Sequence, residues 1–189
     1  MVTADWNDES TLVKAFEGSY VVYAVTEYWV GFMTQSVEEL VEIEARQDIS
    51  LAKAASQTPS LKHFVWNDTP ITTVGDPKIN TGIYALAIFN QPQLTIGRII
   101  LAQSETRTIR GIINLWSQIL GKPADYVQVS DHYDNLWPKW GREIGRMLQF
   151  WETAREKSWT ADEPVLTKED LSISSLIGMK EIFSALEWS

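Results

Sequence analysis

Short unbroken apolar runs recur along the chain, and polar or turn-forming residues bound each of them. Runs of this kind, rich in valine, isoleucine and aromatic residues, are typical of strands that are covered on both faces in a parallel sheet. The pattern therefore predicts strands over Ser19–Glu27, Leu61–Trp66, Arg98–Gln103 and Ala124–Ser130.

Amphipathic stretches separate these runs, and their apolar residues recur at helical spacing. They predict helices over Thr11–Gly18, Ser36–Ser56, Asn80–Gln91, Thr106–Gly121, Trp140–Lys157 and Ser174–Trp188. The alternation of strands and helices is typical of βαβ units, whose strands run parallel. We therefore expect a single α/β domain over residues 1–189, with a parallel sheet between helices and a helical C-terminal region.

The second predicted helix has the clearest local signals. Ser36 and Glu39 stand at the spacing of a capping box, in which the two side chains bond each other's backbone N–H groups. Apolar residues then fall on one helical stripe, expected to be buried: Val37, Leu40, Val41, Ala45 and Ala52. A second capping box is expected at Thr167 and Asp170.

Charge and composition exclude several classes of function. The 16 basic and 25 acidic residues give a net charge of -9, and no basic run could track the phosphates of a nucleic acid. The longest apolar runs are far shorter than the roughly 20 residues that cross a bilayer. The chain has no cysteine and no metal-ligand spacing of its two histidines, so we expect no metal and a cytoplasmic location.

Several segments resemble the NmrA-like family, an atypical branch of the short-chain dehydrogenase/reductase superfamily. They are AFEGSYVVYAVTEYW, ARQDISLAKAA, LKHFVW, TVGDPKINTG, GRIILAQSETRTIRGIINLWSQILGKPADYVQV and LWPKWG, in that order. The resemblance implies an incomplete NAD(P)-binding domain over residues 1–189, with a truncated Rossmann-like three-layer parallel sheet and a helical C-terminal region.

The sequence departs from this family where the cofactor chemistry resides. It has no Gly-x-Gly-x-x-Gly turn to hold a pyrophosphate, and no Tyr-x-x-x-Lys pair to protonate a carbonyl. We therefore expect no cofactor and no conventional NAD(P)-dependent reduction. Deleting the first strands of such a sheet uncovers an edge, so the resemblance also predicts a homodimer.

Polar and aromatic residues follow the first two predicted strands. Glu27, Tyr28 and Trp29 follow the first, and Asn67 and Asp68 follow the second. Parallel strands end at the same edge of a sheet, where α/β proteins bind ligands, so these residues are expected to lie close together.

The two carboxylates are the first candidate catalytic pair. Desolvation beside Trp66 would raise the pKa of Asp68 and make it a general acid, and a nearby Glu27 would then be the ionised base. The alternative interpretation is that Asp68 caps the turn before Pro70, while Glu27 is solvated and Trp29 covers the core.

A second candidate group follows the fourth predicted strand. His132 is a candidate for orienting a substrate together with Tyr28, and Tyr133 for binding it. The neighbouring Asp131 also has the position of a helix N-cap, which favours a structural interpretation. Trp29 and Trp66 are candidates for stacking on an aromatic or cationic intermediate.

Two functions remain open from the sequence. The first is a cofactor-independent cyclase or isomerase that works by acid–base catalysis on an aromatic, polyketide-like molecule, since NmrA-like proteins of this type often belong to fungal secondary metabolism. The second is a non-catalytic NmrA-type regulator that binds a protein partner. A decayed paralogue that merely folds is a further alternative.

Overall fold

A computed structural model describes residues 1–26, 28–67, 77–127, 138–158, 160 and 162–186, with backbone only at 77–79 and 156. The chain forms two compact units. The first comprises residues 1–73 and 88–92, and the second comprises residues 74–87 and 93–189. Each unit contains one two-stranded parallel sheet among its described residues, so the predicted α/β class is confirmed.

The first unit is built around a strand–helix–strand sequence. Its elements are α1 (Glu9–Phe16), β1 (Val21–Val25), a 3-10 turn (Tyr28–Gly31), α2 (Val37–Ser56) and β2 (His63–Asn67), and it also takes in the last residues of α3 (Pro77–Asn90). Strands β1 and β2 pair in parallel, with Val21 opposite His63 and Val25 opposite Asn67. The predicted order of strand, helix and parallel strand is confirmed for this unit.

The core of the first unit lies between the two helices and one face of the sheet. Leu12 and Phe16 of α1 pack with Ala24 of β1 and with Leu51 and Ala54 of α2. Alternate residues of a strand point to opposite faces, so Ala24 brings one face of β1 to this core. On the opposite face, Val21 and Val25 of β1 are exposed, whereas His63 of β2, which lies opposite Val21, is covered by Phe89.

Helix α2 begins as predicted, but its buried face agrees only in part with the predicted one. The Ser36 and Glu39 capping box is present, with both reciprocal bonds formed. The predicted apolar stripe is wrong at Val41, Ala45 and Ala52, which are exposed. Leu40 is buried as predicted, and the other buried residues of the helix are Gln47, Leu51 and Ala54. A polar residue therefore occupies the buried face of this helix.

His63 is a packed side chain in this unit. Its imidazole is buried and meets the Phe89 ring edge-on, with ring centroids 5.4 Å apart. Burial lowers the pKa of His63 below its ordinary 6.5, because the charged form loses its hydration. His63 therefore belongs to the packed interior of this unit.

The second unit contains most of α3 and the helices and strands that follow it. These are α4 (Pro92–Thr95), β3 (Ile99–Ile100), α5 (Ile109–Leu120), α6 (Pro138–Ala154), a 3-10 turn (Arg155–Ser158), β4 (Val165–Leu166) and α7 (Met179–Ala185). Helices α3, α5 and α6 were predicted within three residues at each end, whereas α4 was not predicted. Strand β3 is shorter than expected, and β4, which pairs with β3 in parallel, was not predicted.

Polar contacts between distant segments hold the second unit together. The Asn80 side-chain amide exchanges two hydrogen bonds with the backbone of Ile177, at 2.8 and 2.9 Å. The buried Tyr84 hydroxyl donates to the Gln103 carbonyl at 3.0 Å. The carboxylate of Glu105 accepts from the Met179 backbone N–H at 2.5 Å. The last contact caps α7, whose own N-cap residue is a glycine without a side chain to do so.

Three local predictions in the second unit are corrected by the structure. Residues 124–127 form no strand, and the rest of that predicted strand lies outside the described residues. The Asp170 carboxylate does bond the Thr167 backbone N–H at 2.8 Å, but turns and no helix follow. The last helix starts only at Met179, and within it Phe183 is buried, while Leu186, which follows it, is exposed.

In the part of the chain that the structure describes, every helix is too short or too polar to cross a membrane.

Candidate functional site

The candidate site lies at the carboxyl end of the β1–β2 pair. Thr26 directly follows β1, and Asn67 is the last residue of β2 and pairs with Val25. Four predicted site residues belong to the described part of the chain: Tyr28, Trp29, Trp66 and Asn67. The other four lie outside the described residues: Glu27, Asp68, His132 and Tyr133. The site is therefore built here from the first group and its neighbours.

An aromatic cluster, formed by Tyr28, Trp29 and Phe32, follows β1. Trp29 meets Tyr28 edge-on at 5.1 Å between ring centroids, and it meets Phe32 at 4.8 Å. Phe32 is fully buried, whereas Trp29 is half-buried. The 3-10 turn brings these side chains together, since residues three apart share one side of such a turn. The cluster offers flat apolar surface beside the end of the sheet.

Trp66 and Asn67 occupy the end of the second strand. Trp66 is 50% exposed and pairs with Ala24, and it makes no ring contact with the aromatic cluster in the described structure. Asn67 is half-buried. Tyr28 and Trp29 thus contact each other, while Trp66 is a separate aromatic surface, and the expected closeness of Tyr28 and Trp29 to Asn67 stays a prediction.

A polar group on α2 faces the same end of β1, and the sequence interpretation missed it. The Thr26 hydroxyl donates to Glu44 Oε1 at 3.0 Å, in a partly buried contact. Gln47 lies one turn after Glu44 and is 8% exposed. The Asp48 side chain, adjacent in sequence, has a buried carboxylate oxygen. We call Thr26, Glu44 and Gln47 the acceptor wall.

The position of the acceptor wall follows from the geometry of a parallel strand pair. Helix α2 returns the chain so that β2 can run parallel to β1, and its Leu51 and Ala54 pack on Ala24 near the middle of β1. Its earlier residues, Glu44 among them, consequently reach the carboxyl end of β1. The sequence signal for these residues is three polar side chains at i, i+3 and i+4 on the helix, which share a face.

The N-terminus of α2 is already occupied by its own chain. The Ser36 hydroxyl accepts from the Glu39 backbone N–H at 3.2 Å, and the Glu39 carboxylate accepts from the Ser36 N–H at 2.8 Å. Glu38 adds a second negative charge in the first turn. An anion such as a pyrophosphate is stabilised by free N–H groups and the positive end of a helix dipole. At the N-terminus of α2, the carboxylates of Glu38 and Glu39 would repel such an anion.

Gly31 joins the aromatic cluster to the start of α2, and its substitution gives a stability prediction. A methyl group at Gly31 would lie 2.7 Å from the buried Leu40 side chain and would also clash with the Gln35 side chain. We expect Gly31→Ala to lower the free energy of unfolding by about 1–3 kcal/mol through overpacking. Urea denaturation measures this value.

The matched control is the same substitution at Gly145 in α6, where an added methyl group meets nothing within 4 Å. Gly145→Ala should raise the free energy of unfolding by about 0.5–1 kcal/mol, because alanine loses less backbone entropy in a helix. Equal effects of the two substitutions would show that the turn does not pack on α2 as described.

The described residues contain no group of three or more carboxylate or histidine side chains that could hold a metal ion. Comparison with protein-family models, with curated proteins and with solved structures finds no match to this chain. The resemblance to the NmrA-like family therefore stays a prediction. The chemistry available at the site is that of a flat apolar surface beside a carboxylate, a hydroxyl and an amide.

Proposed function

We propose that the protein is a cofactor-independent enzyme of the cyclase or isomerase type, which acts by acid–base catalysis on an aromatic, polyketide-like molecule. The observation that carries the proposal is that the aromatic cluster follows β1 and its turn packs on α2, the same helix whose Glu44 accepts from Thr26 at the carboxyl end of β1. Such ends are where α/β proteins bind ligands. A flat apolar surface with a few polar groups is typical of small-molecule sites.

In the proposed reaction, the catalytic groups only move protons. Asp68 would donate a proton to an alkene or carbonyl of the substrate, and Glu27 would accept one from another atom, with Tyr28 and His132 orienting the molecule. Trp29, Trp66, Asn67 and Tyr133 would bind its ring system. The substrate gains one proton and loses one, and it is neither oxidised nor reduced. The product of the cyclisation or isomerisation therefore has the same mass as the substrate.

The occupied N-terminus of α2 supports the cofactor-independent part of the proposal. Its first turn carries Glu38 and Glu39, and the capping box uses N–H groups that a dinucleotide would need. The proposal includes membership of the NmrA-like family and a Rossmann-like three-layer sheet, to which β1, α2 and β2 would contribute one βαβ unit.

The test is a conversion assay without added nicotinamide. The purified protein is incubated with a panel of hydroxylated aromatic polyketide precursors, and products are analysed by mass spectrometry and chromatography. The proposal predicts a new product of unchanged mass. Conversion that requires NADPH and changes the mass by that of two hydrogen atoms would contradict it.

We also propose that two copies of the chain associate through β1. Each strand of the β1–β2 pair has one edge without a strand partner in the described residues. Tyr20, Val21 and Val25 are exposed along β1, and an exposed apolar edge strand favours pairing with another chain. Light scattering after size-exclusion chromatography should give the mass of two chains at micromolar concentration, and Val21→Lys should give the mass of one. A monomeric wild-type protein would contradict the proposal.

A further inference from the structure

The outward side of α2 carries a stripe of apolar residues. Val41 and Ile49 are 55% and 54% exposed, and Ala45 and Ala52 are exposed as well. These four residues stand at i, i+4, i+8 and i+11, so they share one side of the helix, opposite the side that buries Leu51. A surface helix normally carries polar residues on its outward side. We call the four residues the outer stripe.

Charged residues border the outer stripe, and their sign changes along the helix. Glu38 and Glu42 lie in its first half, whereas Arg46 and Lys53 lie in its second half, and all four are exposed. The side chains of Glu38, Glu42 and Arg46 form no ion pair or hydrogen bond with other described residues. Lys53 makes only a long contact with Glu9, at 3.9 Å. These charges are therefore available to a partner.

The outer stripe can meet its own copy if two α2 helices pack antiparallel about a twofold axis. With Ala45 facing Ala45 at the centre, Val41 of each helix lies opposite Ile49 of the other. Each contact then occurs twice, so one surface serves both copies. The small side chains at the centre allow the helix axes to approach to about 8 Å, the close end of the range for packed helices.

The charges of α2 favour the same arrangement. In an antiparallel pair, the acidic half of each helix lies beside the basic half of the other, so that Glu42 faces Arg46 of the second copy and Glu38 faces Lys53. A parallel pair would place like charges side by side, which disfavours that alternative. We propose that the outer stripe is a self-association surface, through which two copies of the chain pair with their α2 helices antiparallel.

This contact is distinct from the proposed pairing through β1, because it uses a different element of the first unit. Its four apolar side chains, two of them alanine, are far fewer than the roughly 20–30 residues that each partner contributes to a standard interface. The association through α2 is therefore of the weak class, and it requires protein concentrations well above micromolar.

The test uses the Val21→Lys protein, in which the pairing through β1 is blocked. Its mass is measured by sedimentation equilibrium from micromolar to millimolar concentration, and it should rise from that of one chain toward that of two. A mass of one chain over the whole range would overturn the proposal. The pairing through β1 is judged separately, from the mass of the wild-type protein at micromolar concentration, so either proposal can fail alone.

Charge reversals in the same Val21→Lys protein assign the association to α2. Arg46→Glu and Glu42→Arg each place like charges across the pair, so each should keep the mass of one chain. An equal mixture of the two should associate, because a chain with two acidic residues then meets a chain with two basic ones. The control, Lys122→Glu at an exposed position after α5, should associate as its parent does. Association of either single reversal as strong as that of the parent, or none in the mixture, would overturn the proposal.

Cysteine pairs test the direction of the helices, since the chain has no cysteine of its own. Position 38 of one helix lies opposite position 52 of the other in the antiparallel pair. Under oxidising conditions, a mixture of Glu38→Cys and Ala52→Cys should form a disulfide between the two variants, whereas each variant alone should stay a single chain. A disulfide in either variant alone, and none between them, would overturn the antiparallel arrangement.

Discussion

Replacing Phe32 by alanine is expected to lower the free energy of unfolding by about 3–5 kcal/mol, the usual effect of truncating a buried phenylalanine. Phe32 has no exposed surface and packs on both Tyr28 and Trp29. The substitution would remove the apolar surface that Phe32 buries and leave a cavity under the other two rings. Because whole domains are stable by only about 5–15 kcal/mol, this loss is a large fraction of the total stability.

Urea denaturation followed by tryptophan fluorescence measures this effect, and Val30→Ala is its control. Val30 belongs to the same 3-10 turn but is 76% exposed. Its truncation should change the free energy of unfolding by less than about 0.5 kcal/mol, as for other surface positions. A Phe32→Ala effect as small as that of Val30→Ala would show that the aromatic cluster is not packed as the structure has it.

Replacing Asp68 by asparagine is expected to reduce turnover by about 10²–10⁴-fold in the conversion assay, which is the typical contribution of a general acid. Asparagine keeps the size of the side chain and can accept hydrogen bonds, but it cannot donate a proton as a carboxylic acid does. Binding of the substrate should change little, so the loss is expected in kcat and not in KM.

The control for this substitution is Asp125→Asn, at an exposed position after α5. It should leave kcat unchanged, and both variants should unfold at the wild-type temperature. If Asp68→Asn turns over substrate at the wild-type rate, Asp68 is not the acid. It then has the alternative role that the sequence offers, capping the turn before Pro70.

Local signals in the sequence predicted the helix boundaries well, because the residues that decide them are neighbours along the chain. The capping box of Ser36 and Glu39 starts α2. Gly18 and Gly121 follow α1 and α5 with φ angles of 75° and 64°, a left-handed conformation that glycine adopts without strain. Each of these features needs only a few residues to form.

The buried face of α2 could not be predicted in the same way. The apolar pattern favoured Val41, Ala45 and Ala52, whereas the core takes Leu51 and Ala54 and the helix buries Gln47 between polar neighbours. The buried face of α2 is the one that also brings Glu44 to Thr26, a hydrogen bond between residues far apart in the sequence. A local apolar pattern cannot predict such a contact. The same limit applies to β4, which has only two residues and forms by pairing with β3.

The sequence placed the candidate site at the end of the β1–β2 pair, because the βαβ order predicts parallel strands and α/β proteins bind ligands where such strands end. Tyr28 and Trp29 contact each other there, and Asn67 ends the neighbouring strand. Glu44 and Gln47 were missed because they come from a helix, whereas the sequence interpretation considered only residues that follow strands.

The central claim is that the end of the β1–β2 pair receives an aromatic molecule and no nicotinamide dinucleotide. Its most direct test is an NMR titration of the wild-type protein that follows the indole N–H signals of Trp29 and Trp66. The account predicts that 2-naphthol shifts the Trp29 signal, while NADPH at millimolar concentration leaves both signals unchanged. Saturable shifts of these signals with NADPH, and none with 2-naphthol, would contradict it.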